Sequence, residues 1–527
     1  MFTPVRRWTL ACAVTAGSTA AAGSGAMPPG RALAIVDVNV VPMDRNVVLR
    51  HQTVIVENGR VVQVGPARAV RVPGGGRTVD GNGRYLLPGL IDMHVHLRRA
   101  DLPRYLESGI TAVRNMWGHD EIRQLQRDIA AGTIRGPAIF SASPGLDGTP
   151  PQWPGTVEVL DSASAGDAVR AQVVAGWTWI KVYTQLTPPA YHAIMAAARA
   201  AGIPVVGHVP LRVDVHDALA SGQRSIEHLT GYDRAVSRTG RSGTWGWSDA
   251  DTSRYPGLVA ATVAAGTWNC PTLAIFIKLS GQHPADERAR LVERRRQFVR
   301  ALSAAGAHLL AGTDAGIEIV APGTSLHDEL AELVAAGLTP YQALRAATVD
   351  AAAFLGRPEL GTIRTGGAAD LLLVTGNPLE DVGRAAKIEG MVLHGEWLAA
   401  VPMEPPAALP TVGAMPDVAG EYDTAVSLEE NSCGPVTVAP QITNVTQRAG
   451  TGALTLRHGP LTYHGRMDRA GRFVTDTQSV ATDGGRVEVT VSGTFSPTGF
   501  VADAMVRMRT AAACGYRVRW VGARRKA

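Results

Sequence analysis

The chain has 527 residues, 45% hydrophobic and 18% charged, a globular composition too long for one ordinary core. Its net charge of +5 is small for this length and argues against a nucleic-acid partner. The basic run Glu293-Arg294-Arg295-Arg296 has acidic neighbours on a helical stretch and reads as a solvated face.

The first residues, Met1 to Arg7, are basic, and the Ala-rich run Trp8 to Ala22 follows them. This order is that of an export signal over 1–26, with cleavage patterns at Ala20-Ala21-Ala22 and Ser24-Gly25-Ala26. Arg6-Arg7 leaves a twin-arginine route open. The run is too short and too rich in Ala, Gly and Thr for a stable membrane anchor, so the expected location is exported, periplasmic or secreted. Cys12 would leave with the signal. Cys433 and Cys514 fall in one C-terminal region and could join there, closing a long loop worth about 4 kcal/mol in the chain-entropy model. Cys270 reads as a buried small residue.

Arg31 to Arg84 reads as short strands with Gly-rich turns, among them Ala34 to Val38, Thr53 to Val56 and Arg60 to Val64. A matching set recurs at Ala369 to Val374 and Lys387 to His394, so the flanks 31–85 and 358–398 are expected to fold together as a small β-sandwich domain. Between them a helical segment repeatedly ends in Ala-Gly or Ser-Gly, at Gly109, Gly132, Gly176, Gly202, Gly222, Gly266 and Gly306. Each glycine fits the left-handed position that ends a helix, and a short apolar strand follows it. Those strands are Ile110 to Met116, Ile134 to Phe140, Trp179 to Tyr183, Pro204 to His208, Ser225 to His228, Trp268 to Leu273 and Ala307 to Leu310. With the opening strand Leu90 to His96 they number eight, the alternation of an α/β (β/α)8 TIM barrel over 86–357. Thr187 before Pro188 and Thr339 before Pro340 supply helix caps ahead of first-turn prolines. Residues 399–417 are a Pro/Ala-rich linker, and 418–527 alternate apolar and polar positions as an antiparallel β domain. His458 and His464 in that domain are isolated and read as structural or exposed.

In such a barrel working residues project from the C-terminal strand ends. His94 and His96 end the first strand, Lys181 lies in the fourth, His208 and His228 end the fifth and sixth, and Asp314 follows the eighth. A single strand histidine is more often a hydrogen-bonded core residue, but several on one rim favour a site. Lys181 alternates with Trp179 and Tyr183 toward one face. Burial there would leave a neutral amine able to add carbon dioxide and bridge two cations as a carbamate; the alternative is a lysine snorkelling to solvent. Arg114, just inside the second strand's end, could meet a substrate carboxylate or form a surface ion pair. Tyr232, Trp245, Trp247 and Trp153 could line an apolar pocket or anchor their loops.

Taken together, Pro88-Gly89-Leu90-Ile91-Asp92-Met93-His94-Val95-His96, Ile180-Lys181-Val182, Gly207-His208, Ile226-Glu227-His228 and Ala311-Gly312-Thr313-Asp314 resemble the metal-dependent amidohydrolase superfamily, particularly its secreted imidazolonepropionase-like and prolidase-like branch, over about Arg31 to Glu396. The resemblance implies two divalent metal ions, with zinc the first choice. His94, His96 and Asp314 would hold one, His208 and His228 the other, and carboxylated Lys181 would bridge them. It also implies a hydrolase that cuts a C–N bond of a small amide, such as an Xaa-Pro dipeptide or N-acyl amino acid, through a hydroxide held between the metals, with Asp314 as acid-base. Arg114 and Tyr232 are the candidate substrate contacts. A cyclic amide, lactone or phosphoester could occupy the same centre, and an inactive secreted binding protein is the reading outside enzymes; a homo-oligomer stays open.

Overall fold

A computed structural model of the chain describes residues 32–153, 155–317, 319–399, 417–433, 436–447, 452–467, 471–482, 485–496, 498–509 and 514–525. The expected export segment and 400–416 of the linker lie outside them. Among the described residues, no helix is long and apolar enough to cross a membrane.

The central part is a parallel barrel of strands Leu90–Val95, Ile110–Asn115, Ala138–Ser141, Ile180–Val182, Val205–Gly207, Ser225–Glu227 and Trp268–Cys270. The third strand changes partner partway: Ala138–Ser141 pairs with the second strand, and Gly145–Asp147 pairs with the fourth. The eighth place is filled by the segment around Leu309 to Ala315, held by isolated bridges from Leu309 to Asn269 and from Ala315 to Val95. Met93 N–H donates to Ala311 O and Leu310 N–H to Asn269 O, which closes the ring. This eighth segment is not a continuous strand, because Asp314 turns left-handed with φ +64° within it.

All seven helix-ending glycines have positive φ, from +64° to +80°. A side chain would be strained at each, so their recurrence marks the barrel's period. Thr187 and Thr339 cap their helices, the latter in a reciprocal capping box with Gln342. The third strand begins later than the expected Ile134. Thr133 and Ile134 N–H groups wrap back onto Asp128 O at the end of helix Asp120–Ala130, and Pro137 has no N–H to give.

The two flanks meet in one eight-stranded sheet, ordered Glu396–Ala399, Ile388–Leu393, Leu371–Val374, Tyr85–Pro88, Leu33–Val40, Leu49–Glu57 and Arg60–Pro66. The strands of both flanks connect as a single sheet that forks, since Leu33–Val40 pairs with both Arg77–Asp80 and Tyr85–Pro88. The C-terminal region is a nine-stranded antiparallel sheet closed by pairing Arg472–Thr475 with Gly485–Ser496. Its interior is filled by Tyr422, Tyr463, Phe473, Phe495, Phe500 and Trp520. His458 stacks on Trp520 at 3.9 Å, a packing role, and burial pushes its pKa down to about 4. Cys433 and Cys514 form a disulfide, and Cys270 is free and buried.

Candidate metal centre

His94, His96 and Asp314 bring one ligand atom each to within 4.8 Å of one another at the barrel mouth. Asp314 Oδ1 lies 3.2 Å from His94 Nε2, 3.0 Å from His96 Nε2 and 4.0 Å from His228 Nε2. The His208 ring stands 5.0 Å from that of His228, which is 4.4 Å from that of His94. The four histidines and Asp314 thus share one rim. Glu227 and His228 are consecutive, and strand alternation would send them to opposite faces. His228 and Leu229 leave the strand with φ +60° and +54°, which turns the ring back to the rim. Asp314 is turned the same way. A left-handed non-glycine residue costs about 1–3 kcal/mol and persists where its surroundings over-determine it.

Three of the rings are oriented from behind. His94 Nδ1 lies 2.9 Å from Glu227 Oε2, His208 Nδ1 3.1 Å from Thr184 Oγ1 and His228 Nδ1 2.8 Å from Thr272 Oγ1. Each pairing occupies Nδ1 and leaves Nε2 for another partner, the arrangement that orients metal-bound histidines. His94 Nε2, Lys181 Nζ and Asp314 Oδ1 are buried without a well-formed hydrogen bond, the first and last facing each other at 3.2 Å. Such orphans are costly, and their convergence with imidazole and carboxylate donors fits divalent cations. A second grouping, His94 with Glu227 and Cys270, is already engaged, because Arg114 and His94 hold Glu227.

Burial pushes the imidazoles of His96, His208 and His228 below the ordinary value, so each presents a neutral nitrogen, the ligating form. Burial alone would raise Asp314, but His228 and the adjacent rings of His94 and His96 outweigh it and hold the carboxyl well below the usual range. Lys181 is fully buried, and desolvation lowers it to about 8 against the pull of Glu227 and Asp314. It does not snorkel.

Arg114 is not at the mouth. It is fully buried and donates to both oxygens of Glu227 at 3.0 and 2.8 Å, to Met93 O at 2.6 Å and to Ser225 Oγ at 3.1 Å. It is expected as a substrate contact but is held by Glu227, which in turn orients the His94 ring. Burial opposes ionisation of Glu227, but Arg114 and the His94 hydrogen bond dominate and keep it a carboxylate. Tyr232 is likewise buried, its hydroxyl 2.7 Å from Thr262 Oγ1 and its ring against Phe298, so it packs helices. Trp247 is a core anchor beside Phe298 and Tyr255. Arg295 is 2% exposed, against the expected solvated face, and donates to His228 O and Pro271 O behind the site. Glu227 was not singled out from the sequence. Its signal was an acid in an apolar strand core, which needs a cation such as Arg114 on the facing strand.

A family model described as "Amidohydrolase family" matches residues 85–398. A dihydroorotase from Trichlorobacter lovleyi is 48% identical over 61 residues, only 12% of this chain and 14% of that protein. An imidazolonepropionase from Sphingopyxis alaskensis is 26% identical over 396 residues, 63% of this chain and 88% of that protein. The crystal structure of a prolidase candidate from Bifidobacterium longum superposes with TM-score 0.59 at 26% identity, over 70% of this chain and 95% of that one. Members of this family are hydrolytic enzymes that generally use divalent metals, and the matched stretch contains the whole barrel with every histidine of its rim. The chain belongs to the amidohydrolase family.

Proposed function

We propose that the protein hydrolyses a C–N bond of a small amide, an Xaa-Pro dipeptide or an N-acyl amino acid, at a two-metal centre. The observation that carries this reading is the set of three orphaned buried atoms, His94 Nε2, Lys181 Nζ and Asp314 Oδ1, on a rim with three more histidines. His94, His96 and Asp314 would hold one ion and His208 and His228 the other, with Lys181 carboxylated between them. An unpartnered, desolvated amine supports that modification. Zinc suits the imidazole and carboxylate donors. Bound divalent ions would polarise the scissile carbonyl and let water ionise near neutral pH.

The protein's own part is orientation and proton transfer. Glu227, Thr184 and Thr272 fix the rings. Asp314, held ionised, accepts the proton of the attacking water and delivers it to the leaving nitrogen. The prolidase candidate's resemblance favours a dipeptide over other amides. An exported location goes with this reading, supported by the Cys433–Cys514 disulfide, since such bridges persist in oxidising compartments. Metal analysis and a panel of Xaa-Pro dipeptides, N-acyl amino acids, lactones and phosphotriesters test it. About two transition-metal ions per chain and amide turnover are expected. Fewer than one ion per chain, or full activity in Lys181→Ala, would sink the two-metal reading, and turnover of lactones or phosphotriesters alone would sink the amide.

A further inference from the structure

Three aromatic rings form an arc that runs between His96 and His208, assigned above to different metals. Trp117 lies 6.4 Å from His96 between ring centroids and 5.2 Å from Tyr183, edge to face, and Tyr183 lies 4.2 Å from His208. Trp153 completes the arc from the far side, its Nε1 donating to the Tyr183 hydroxyl at 2.6 Å. Tyr183 is nearly buried, but Trp153 keeps 41% of its surface exposed beside the metal rim.

The chain is built to bring the rings there. Tyr183 follows Lys181 by two residues and so shares its face at the strand's mouth end. Trp117 sits where a Cβ on Gly145 would come within 2.3 Å of its ring, so it needs glycine in the third strand. The loop carrying Trp153 is tied at its base by Asp147, whose Oδ1 accepts from Gly148 N–H and Gln185 N–H, linking it to the loop after Tyr183. Thr156 Oγ1 donates to Trp153 O at 2.6 Å and fixes the residue within its loop. The Trp153 indole N–H is spent on the Tyr183 phenol oxygen, and most of the surface the three rings offer is ring faces and edges. Ring faces and edges favour another ring in offset or edge-to-face contact, worth roughly two- to tenfold in binding beyond the area covered.

We propose that Trp117, Tyr183 and Trp153 form a specificity wall that selects amides carrying an aromatic side chain next to the scissile bond. This rests on the amide-hydrolase reading and names its substrate class. The test compares kcat/KM of the full-length, zinc-loaded protein for Phe-Pro against Ala-Pro and for N-acetylphenylalanine against N-acetylalanine. An aromatic preference of at least tenfold is expected in one of the pairs, falling at least fivefold in Trp153→Ala and less in Tyr183→Phe, which keeps the ring and loses the hydroxyl that holds Trp153. A preference near one, or a preference unchanged in Trp153→Ala, overturns the proposal. If none of these amides is cleaved, the amide reading fails by itself, and calorimetric titration with phenylalanine and alanine still decides the wall. Tighter binding of phenylalanine that weakens in Trp153→Ala supports it, and equal binding or an unchanged difference overturns it.

Discussion

Replacing Arg114 with methionine should destabilise the barrel through Glu227, not through lost volume. The guanidinium supplies two hydrogen bonds to a carboxylate that has no solvent exposure, at 3.0 and 2.8 Å. Removing one partner of a buried ion pair leaves the other uncompensated and costs about 3–5 kcal/mol. The sign with pH follows from Glu227, whose folded pKa is depressed. Its stabilising contribution is present above the unfolded value of about 4.3 and is lost as pH falls toward the folded one. In Arg114→Met, burial dominates and Glu227 takes up a proton, so the variant loses stability as pH rises above about 4.3 while wild type loses it below, and the gap should narrow steadily as pH falls from 7. The assay is urea denaturation of metal-stripped protein, so that metal binding does not add to stability, followed by tryptophan fluorescence. Seven tryptophans, Trp117, Trp153, Trp177, Trp179, Trp245, Trp247 and Trp268, report on the barrel. The double variant Arg114→Met/Glu227→Leu should recover most of the loss, because no buried charge is left. A gap under about 1 kcal/mol at pH 7, a gap that widens in acid, or a double variant less stable than the single would refute the reasoning.

Glu329, on helix Thr324–Ala335, is buried against the start of helix Leu273–Leu279, and desolvation raises it to about 8, so folding costs it ionisation as pH rises from its ordinary value toward 8. Glu329→Gln keeps an acceptor for Ala274 N–H and should gain on wild type by up to about 1.4 kcal/mol per pH unit across that window, read as melting temperature against pH; parallel curves would contradict it. A Cβ at Gly312 would fall 2.5 Å from Cys270 Sγ and 2.7 Å from His94 N, so Gly312→Ala should push His94 off the rim, lowering zinc content and costing about 1–3 kcal/mol. Unchanged metal content would show that the backbone there yields freely. Cys433→Ser removes a bridge across 81 residues and should destabilise the C-terminal barrel by about 4 kcal/mol, with the parallel barrel's transition unmoved, as calorimetry would show.

The barrel was legible because a local rule repeats in it. Gly109, Gly132, Gly176, Gly202, Gly222, Gly266 and Gly306 each end a helix by backbone geometry alone, and that geometry needs no tertiary partner. The rim residues His94, His96, His208, His228 and Asp314 could be read for a related reason: strand ends point to the mouth whatever packs around them. Arg114 could not. A cation just inside a strand end can face solvent, substrate or a buried acid, and only the Glu227 carboxylate across the barrel decides which. Arg295 misled in the same way, because its partners, the carbonyls of His228 and Pro271, belong to loops far away in sequence. Tyr232 was placed by its loop and not by the helix that buries it. The third strand's late start was hidden in how Thr133 and Ile134 wrap the preceding helix end, a hydrogen-bond choice that residue type does not announce.

The forked sheet makes the protein's synthesis a matter of timing. Tyr85–Pro88 finds its antiparallel partner only in Leu371–Val374, so the intervening barrel must leave the ribosome before that edge can be covered. At roughly 5–20 residues per second the wait is on the order of a quarter of a minute to a minute, far longer than a hairpin needs to form. Through that interval the first flank presents Leu86 and Leu87 on an open strand edge, the kind of template on which other chains pair. The flank that comes last in the sequence is thus the barrel's clasp and also the cover for an apolar strand edge. A chain cut after residue 357 would keep Lys181, Asp314 and the four histidines of the rim and still leave that edge bare.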